Sequence, residues 1–357
     1  MKALRLLMIC ALIGSNADLA AEGAAEPSEQ TAEILVEVLY LTNRGRRPGE
    51  GPVVGYTGER GGLHSGVCQV AFSPIALMND LAEHVPFYVP TESRRLALEE
   101  DPNINVFWVR LKQRTGESPG RPVLLLVHGY NYGFERACRM GADLQRRLEG
   151  EAEVVLFSWP SDGNPANYLP DQVDVEWSVP FLARTIQQIR DHMGPETPLH
   201  LLAHSIGSRG AFYALDRLNT LSETQPAIDQ FILMAPDFDA ATFVDAFDWI
   251  RPLVGQVTLY ASVNDTPLAL SEQLNGYPRL GQAGASLTLI DGMDTIDVSE
   301  AGRYQFTGHE YHLYHPRVGA DLAELIATRK PAADRSGLAS RTRDGVRYWA
   351  ITGPDVP

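Results

Sequence analysis

Ser205 is the residue whose setting most clearly indicates chemistry. It is the centre of residues 203–207, which read Ala-His-Ser-Ile-Gly and link an apolar run to a helical pattern. A serine at the apex of a sharp strand-to-helix turn has a strained backbone, so the residues two positions away on either side must be small. Ala203 and Gly207 meet that demand, with alanine where glycine is usual. The segment predicts a nucleophile elbow; a serine that merely caps the following helix is the simpler alternative.

A serine hydroxyl needs a general base before it can act as a nucleophile. His309 follows a glycine in a loop beyond the last regular strand of the predicted sheet, and we predict that it is the base. His312 is the second candidate, and His315 follows at the same interval. Zinc-hydrolase helices instead place two histidines four residues apart with a glutamate after the first, so this spacing predicts no metal site.

The acid that orients the base is expected between the serine and the histidine in the chain order Ser, Asp, His. Asp265 directly follows the penultimate predicted strand, whereas Asp237 and Asp239 follow the strand before it. We favour Asp265 because it precedes the loop that carries the histidine. The other two aspartates stay open as alternatives, and otherwise they are expected to cap a helix.

A loop that could stabilise an oxyanion follows the apolar run 123–127 and reads His128, Gly129, Tyr130, Asn131. A glycine there lets the backbone turn toward the nucleophile. The predicted oxyanion donors are the backbone N–H groups of Tyr130 and Ile206. Side chains and backbone around this point are predicted to bind substrate, with a core role as the alternative for the tryptophan: His128, Gly129, Asn131, Trp159 and His204.

The elements that must position these residues follow from hydrophobic periodicity. Apolar runs typical of strands lie at 34–41, 104–110, 123–127, 153–157, 199–203, 231–234, 257–260 and 287–290. Helical spacing covers 134–148 and 175–193 and returns near 322–326, while 44–66 is rich in Gly, Arg and Pro and is expected to form loops. Residues 348–351 predict a short closing strand or a docked tail. Alternating strands and helices predict an α/β fold with a mostly parallel central sheet and helices on both faces.

Composition narrows the class of protein further. The net charge of −15 over 357 residues argues against a nucleic-acid partner. We predict a signal peptide over 1–17, a flexible linker over 18–32, a catalytic domain over 33–330 that begins with a strand and loop extension, and a tail over 331–357. Residues after 17 contain no apolar segment long enough to span a membrane, so a secreted or periplasmic location is expected.

Two of the three cysteines, Cys68 and Cys138, lie beyond the predicted signal peptide. An oxidising compartment permits a disulfide between them. Cys138 lies on the apolar face of a predicted helix, and for this residue we favour a buried thiol.

The chain resembles the α/β-hydrolase superfamily, and more closely a bacterial esterase/lipase-like branch of mostly uncharacterised proteins. The resemblance spans about residues 34–330 and is carried by the segments 41–44 (Leu-Thr-Asn-Arg), 127–131, 157–160, 203–207, 235–237, 260–262 with Asp265, 294–297 and 308–309. It implies Ser205 as nucleophile, His309 as base and Asp265 as acid. It implies no cofactor and names no substrate.

These observations together predict a serine hydrolase that cleaves carboxylic esters through an acyl-enzyme. The expected substrate is a small molecule or a polymer end carrying an acyl ester. Two alternatives stay open. One is an amide- or thioester-cleaving hydrolase with the same triad, and the other is a catalytically silent binding protein on a hydrolase scaffold.

Overall fold

The computed structural model describes residues 34–48, 55–72, 93–116, 120–219, 228–302 and 307–351. The predicted signal peptide and linker lie outside the described residues. Within the described residues one sheet of eleven strands runs in the order β10-β11-β9-β8-β7-β6-β4-β5-β1-β2-β3. The strands are β1 (Ile34–Arg46), β2 (Tyr56–Phe72), β3 (Ser93–Glu100), β4 (Val123–Val127), β5 (Glu153–Ser158), β6 (Leu199–His204), β7 (Ile228–Met234), β8 (Val254–Ala261), β9 (Met293–Asp297), β10 (Leu338–Arg343) and β11 (Val346–Ile351).

The middle of the sheet is parallel, from β11 through β9, β8, β7, β6, β4 and β5 to β1. Antiparallel pairings extend it at both edges, with β2 and β3 beyond β1 and β10 beyond β11. This confirms the predicted mostly parallel sheet. The segment 348–351 forms a closing strand, so the sheet continues past residue 330 into the predicted tail.

Helices cover both faces of the sheet. They are α1 (Ile104–Gly116), α2 (Phe134–Arg147), α3 (Tyr168–Met193), α4 (Gly207–Asn219), α5 (Ala240–Ile250), α6 (Thr266–Asn275), α7 (Tyr311–Tyr314) and α8 (Pro316–Thr328). Successive residues of a strand point to opposite faces. Leu124 and Leu126 accordingly join the core under α2 and α8, while Leu125 and Val127 join the core under α1, α3, α4 and α5. None of the described helices has both the length and the apolarity that a bilayer crossing requires.

Three predictions of secondary structure are wrong. Residues 104–110 form the first turns of α1 rather than a strand, because Phe107 and Leu111 are buried one helical turn apart. Residues 287–290 precede the strand, which is β9. Much of the segment 44–66, expected to be loops, belongs to the β1–β2 hairpin; residues 49–54 lie outside the described part.

Cys68 and Cys138 form a disulfide. The expectation that Cys138 is an unpaired buried thiol is therefore wrong. Cys68 lies on β2 and Cys138 on α2, which pack against each other, and their Cα atoms are 6.0 Å apart. The bridge ties the antiparallel edge of the sheet to the helix that follows β4.

Candidate active site

The turn that carries Ser205 has the geometry of a nucleophile elbow. Strand β6 ends at His204 and α4 begins at Gly207. Between them Ser205 adopts φ 54°, a left-handed conformation that is rare for a non-glycine residue. The Ser205 N–H donates to the Met234 carbonyl at 3.0 Å, which anchors the turn to β7. A Cβ at Gly207 would lie 2.3 Å from the His128 carbonyl oxygen, so the turn requires glycine there.

The segment after β4 packs directly on this elbow. A Cβ at Gly129 would lie 2.7 Å from Ser205 Cβ and 2.9 Å from His204 Nδ1. The absence of a side chain therefore lets the backbone approach the serine closely. Tyr130, the next residue, lines the same cavity as Ser205.

His309 and Asp265 form a close pair beside the elbow. His309 Nδ1 lies 2.7 Å from Asp265 Oδ2, and the Asp265 side chain is fully buried. The second oxygen of Asp265 accepts the Leu268 N–H at 3.0 Å and caps α6. Burial by itself lowers the pKa of His309, but the charge and hydrogen bond of Asp265 outweigh burial and raise it above its ordinary value.

The other two aspartates have different partners. Asp237 Oδ1 accepts from Ser271 Oγ at 2.6 Å and from Arg279 Nε at 2.7 Å, and Oδ2 accepts from Tyr168 OH at 2.7 Å. Both oxygens of Asp237 are thus engaged in a buried ion pair and its hydrogen bonds, which differs from the expected helix cap. Asp239 does cap a helix, because its side chain accepts the Thr242 N–H at the start of α5.

Ser205 and His309 line one cavity of about 940 Å³ at the carboxyl end of the parallel strands. Ligands of open α/β sheets bind at this end. Of the residues predicted to bind substrate, Asn131 and His204 line the cavity. Its other lining residues are Tyr130, Tyr132, Arg136, Pro165, Ala166, Tyr168, Leu169, Pro170, Asp237, Thr266, Pro267, Leu268, Leu270, Ser271, Leu274, Thr307 and Glu310.

The structure corrects the substrate-binding roles predicted for His128, Gly129 and Trp159. All three are buried beneath the cavity and outside its lining. Trp159 Nε1 donates to the His128 carbonyl at 2.8 Å, and the two rings stack with centroids 5.0 Å apart. Burial, reinforced by the neighbouring Arg44, holds the pKa of His128 well below its ordinary value. These residues support the loop after β4 from below.

Arg44 is a supporting residue for which the sequence analysis predicted no role. It is fully buried and donates to Ser158 Oγ at 2.9 Å, to the Ser161 carbonyl at 2.7 Å and to the Tyr132 carbonyl at 2.6 Å. Burial lowers the pKa of Arg44 to about 9. The available signal was a basic residue shortly after the apolar run of β1, in the segment Leu-Thr-Asn-Arg.

Glu310 connects the histidine to the loop after β4. Its Oε1 accepts a hydrogen bond from Tyr132 OH and another from Arg136 Nη2 at 2.8 Å. The Arg136 guanidinium lies over the Tyr132 ring, 4.2 Å from its centroid. Because Glu310 follows His309 directly, this cluster holds the histidine-bearing segment against the loop.

The remaining histidines of the C-terminal segment do not share this arrangement. His315 caps α8, with Nδ1 accepting the Val318 N–H at 3.4 Å, and its Nε2 lies 3.1 Å from the Ala301 carbonyl. The side chain of His312, the second candidate for the base, lies outside the described part. Within the described residues no three His, Cys, Asp or Glu side chains are grouped to hold a metal ion.

The sheet topology, the elbow after β6 and the acid and histidine that follow β8 and β9 define an α/β-hydrolase. Residues 107–329 match the family model "Alpha/beta hydrolase of unknown function (DUF900)". The match covers more than half of the chain, which therefore belongs to this family.

Individual similarities are weaker. An uncharacterized protein of Nostoc sp. is 27% identical over 121 residues, which cover 27% of this chain and 31% of that protein. Aspergillus fumigatus lipase B is 18% identical over 60% of this chain and 54% of its own, with a TM-score of 0.38. An esterase from Rhizomucor miehei is 12% identical over 82% of each chain, with a TM-score of 0.36. The chain thus spans less than two thirds of both the Nostoc protein and the lipase.

Proposed function

We propose that this protein is a serine hydrolase that cleaves carboxylic esters through an acyl-enzyme intermediate. The observation that carries the proposal is the 2.7 Å pair of His309 and Asp265, which shares a cavity with Ser205 in its left-handed turn. A buried carboxylate that orients a histidine beside an elbow serine is the arrangement that nucleophilic catalysis by an alcohol needs.

The reaction follows from these positions. Ser205 Oγ attacks the ester carbonyl, and His309 Nε2 takes its proton and passes it to the departing alkoxide. Asp265 Oδ2 keeps the proton of His309 on Nδ1, so that Nε2 is the free base. Water then attacks the acyl-enzyme with the same histidine as base, and the products are a carboxylic acid, an alcohol and the restored serine.

The backbone N–H groups of Tyr130 and Ile206 are proposed to stabilise the oxyanion. Tyr130 follows Gly129, whose backbone packs against Ser205, and Ile206 directly follows the serine at the start of α4. Preset N–H dipoles at the developing charge are each worth on the order of 10²–10³ in rate.

A fluorophosphonate tests the nucleophile directly. We expect the wild-type protein to form one adduct, located on Ser205 by mass spectrometry, and Ser205→Ala to form none. Ser208→Ala is the matched control, because Ser208 lies in the first turn of α4 but bonds to the Ala203 carbonyl at 3.1 Å. A folded wild type that stays unlabelled would contradict the proposal and favour a silent binding protein.

The bond that is cleaved is tested separately. We expect a matched series of ester, thioester and anilide to be turned over best as the ester. A preference for the anilide or thioester would retain the triad but replace the proposed reaction class.

We also propose that the mature chain is secreted or periplasmic. The basic, then apolar N-terminal residues support this location, and so does the disulfide between Cys68 and Cys138, since such bonds persist in oxidising compartments. Fractionation of the producing cell and N-terminal sequencing test it, with a mature terminus at Asp18 expected. A full-length chain in the cytoplasmic fraction would contradict it.

A further inference from the structure

The mouth of the cavity carries three strongly exposed leucines. Leu169, Leu270 and Leu274 are 66%, 56% and 62% exposed, and all three line the cavity that contains Ser205. Single exposed leucines are ordinary on a protein surface, whereas a cluster at a concave site indicates that something apolar is bound there.

The two helices that present these leucines are held together below them. Leu169 is in the first turn of α3, and Leu270 and Leu274 lie one turn apart on α6. Tyr168 OH lies 2.8 Å from Ser271 Oγ and accepts from Asn275 Nδ2 at 3.2 Å, which joins the helices through side chains next to the leucines. The leucines therefore stand on a fixed support, and we call the wall formed by residues 165–170 and α6 the apolar arm.

The charged side chains of the cavity lining besides His309 are Asp237, Arg136 and Glu310, and all three are paired. Glu310 is paired with Arg136, and Asp237 is paired with Arg279 and accepts hydrogen bonds from Tyr168 and Ser271 at the base of the apolar arm. In the described lining the apolar arm presents no charged side chain; besides the leucines it consists of Pro165, Ala166, Tyr168, Pro170, Thr266, Pro267, Leu268 and Ser271. A charged group on the substrate would meet no oppositely charged side chain of this arm and would displace water from apolar surface without compensation.

We infer that the substrate is an uncharged ester with an extended apolar chain, and that the apolar arm binds this chain. The inference rests on the proposed esterase activity and adds a substrate class to it. It replaces the broader expectation of any small or polymer-end ester. The chemical step is unchanged, with ester and water giving carboxylic acid and alcohol, and chain burial supplies binding free energy along the arm.

A chain-length series tests the inference. We expect kcat/KM of the wild-type protein to rise about two- to fourfold per added methylene between acetyl and octanoyl p-nitrophenyl esters, measured below their aggregation concentrations. A parallel series of acetate esters of longer alcohols covers a chain on the alcohol side. An increase in either series supports the inference, and a flat response in both overturns it. An ester with a carboxylate at the far end of the chain should lose the gain.

Variants locate the effect. The double variant Leu270→Asp, Leu274→Asp should reduce the preference for the longer chain over the acetyl ester at least about tenfold, because the two carboxylates replace apolar surface of the arm with charge. Both positions are exposed, so the substitutions should be tolerated by the fold. Val109→Asp is the matched control, an exposed apolar residue on α1, 66% exposed and outside this cavity lining. It should retain the wild-type preference, and an unchanged preference in the double variant would overturn the inference.

Failure of this inference differs from failure of the proposed activity. If the wild type neither labels with a fluorophosphonate nor cleaves an acetyl ester, the esterase proposal itself fails. If acetyl esters are cleaved and the label forms on Ser205, but rate is independent of chain length, the esterase proposal stands and only the chain-binding role of the apolar arm is lost.

Discussion

Asp265 divides its carboxylate between two tasks, since Oδ2 lies 2.7 Å from Nδ1 of His309 while Oδ1 caps α6. The helix N-terminus stabilises a negative charge, and the histidine then faces a carboxylate whose position is fixed by the cap. Asp265, at the N-terminus of α6, therefore fixes the orientation of the His309 ring. His309 itself lies in a loop, so this contact with a helix restrains a side chain that the loop alone would hold less firmly.

Asp265→Ala should abolish activity at a modest cost in stability. Asp265→Asn should lower kcat about 10³–10⁴-fold, because an amide permits the wrong tautomer of His309. Asp265→Ala should also lose the helix cap, at about 1 kcal/mol in the free energy of unfolding. Ester hydrolysis and urea denaturation measure the two effects.

Asp239→Ala is the control for the cap, because Asp239 caps α5 in the same way without contacting the histidine. We expect it to lose a similar amount of stability and to keep its activity. Comparable activity losses in both variants would show that the effect of Asp265 comes from folding alone.

The pH dependence should follow the raised pKa of His309. Only the neutral ring can act as base, so kcat/KM should fall as the pH decreases through this raised pKa. Glu310 contributes to raising the pKa, after Asp265. Glu310→Gln should therefore shift the acid limb to lower pH. Glu135→Gln, which removes an exposed carboxylate of α2, should leave the acid limb of the kcat/KM profile at the wild-type pH. If the acid limb lies at the same pH in the wild type and both variants, Glu310 does not raise the pKa of His309.

Gly129→Ala should disrupt the site from below. The new Cβ would approach Ser205 Cβ to 2.7 Å, closer than packed atoms come, and the loop would have to move. We expect an activity loss of about 10²-fold or more, as for removal of an oxyanion donor, and destabilisation by about 1–3 kcal/mol. Gly133→Ala in the same segment has nothing within 4 Å of its Cβ and φ −62°, so it should behave as wild type.

The sequence was most informative where local rules and the fold agree. The parallel strands β4 to β8 were predictable because they contain continuous runs of apolar residues buried on both faces. Strand β9, with the sequence Met-Asp-Thr-Ile-Asp, has no such run and was placed too early in the chain. The elbow was predictable because its backbone demands small neighbours around Ser205. Asp265 and His309 were favoured by the chain order Ser, Asp, His and by the rule that sites gather at one end of the sheet, while Asp237, Asp239 and His312 stayed open as alternatives.

Other features depend on long-range contacts that a single segment does not report. Residues 104–110 contain several residues that favour strands, yet tertiary packing of Phe107 and Leu111 makes them a helix. Glycines in the β1–β2 hairpin suggested turns, but in the structure they let the backbones of the two strands come close together. A Cβ at Gly61 would lie 2.4 Å from the Arg44 carbonyl oxygen. The burial of His128 and Trp159 likewise comes from neighbours distant in sequence.

Arg44→Met should be strongly destabilising. The side chain donates to the carbonyls of Thr57, Ser161 and Tyr132, and removing it leaves the two buried ones, of Ser161 and Tyr132, without this donor. Each such group costs about 1–3 kcal/mol, so we expect a loss of roughly 2–6 kcal/mol in the free energy of unfolding. Arg47→Met is the control, because the side chain of this exposed arginine forms a 3.9 Å ion pair with Glu135, and such an exposed pair is worth about 0–1 kcal/mol. Equal midpoints of denaturation would contradict the role of Arg44.

Removal of the disulfide should lower stability without touching the chemistry. The bond between Cys68 and Cys138 closes a segment with a sequence separation of 70 residues. Loss of that constraint on the unfolded chain corresponds to about 4 kcal/mol. We expect the double variant Cys68→Ala and Cys138→Ala to unfold at a lower urea concentration than the oxidised wild type, with a similar rate of Ser205 labelling while it is folded.

Reduced wild type provides the second arm of this comparison. It should unfold near the double variant, because both lack the cross-link and both keep small side chains between β2 and α2. If the double variant is as stable as the oxidised protein, the disulfide does not contribute to the free energy of unfolding. A variant far less stable than the reduced protein would instead assign the loss to packing of the sulfur atoms, which are fully buried.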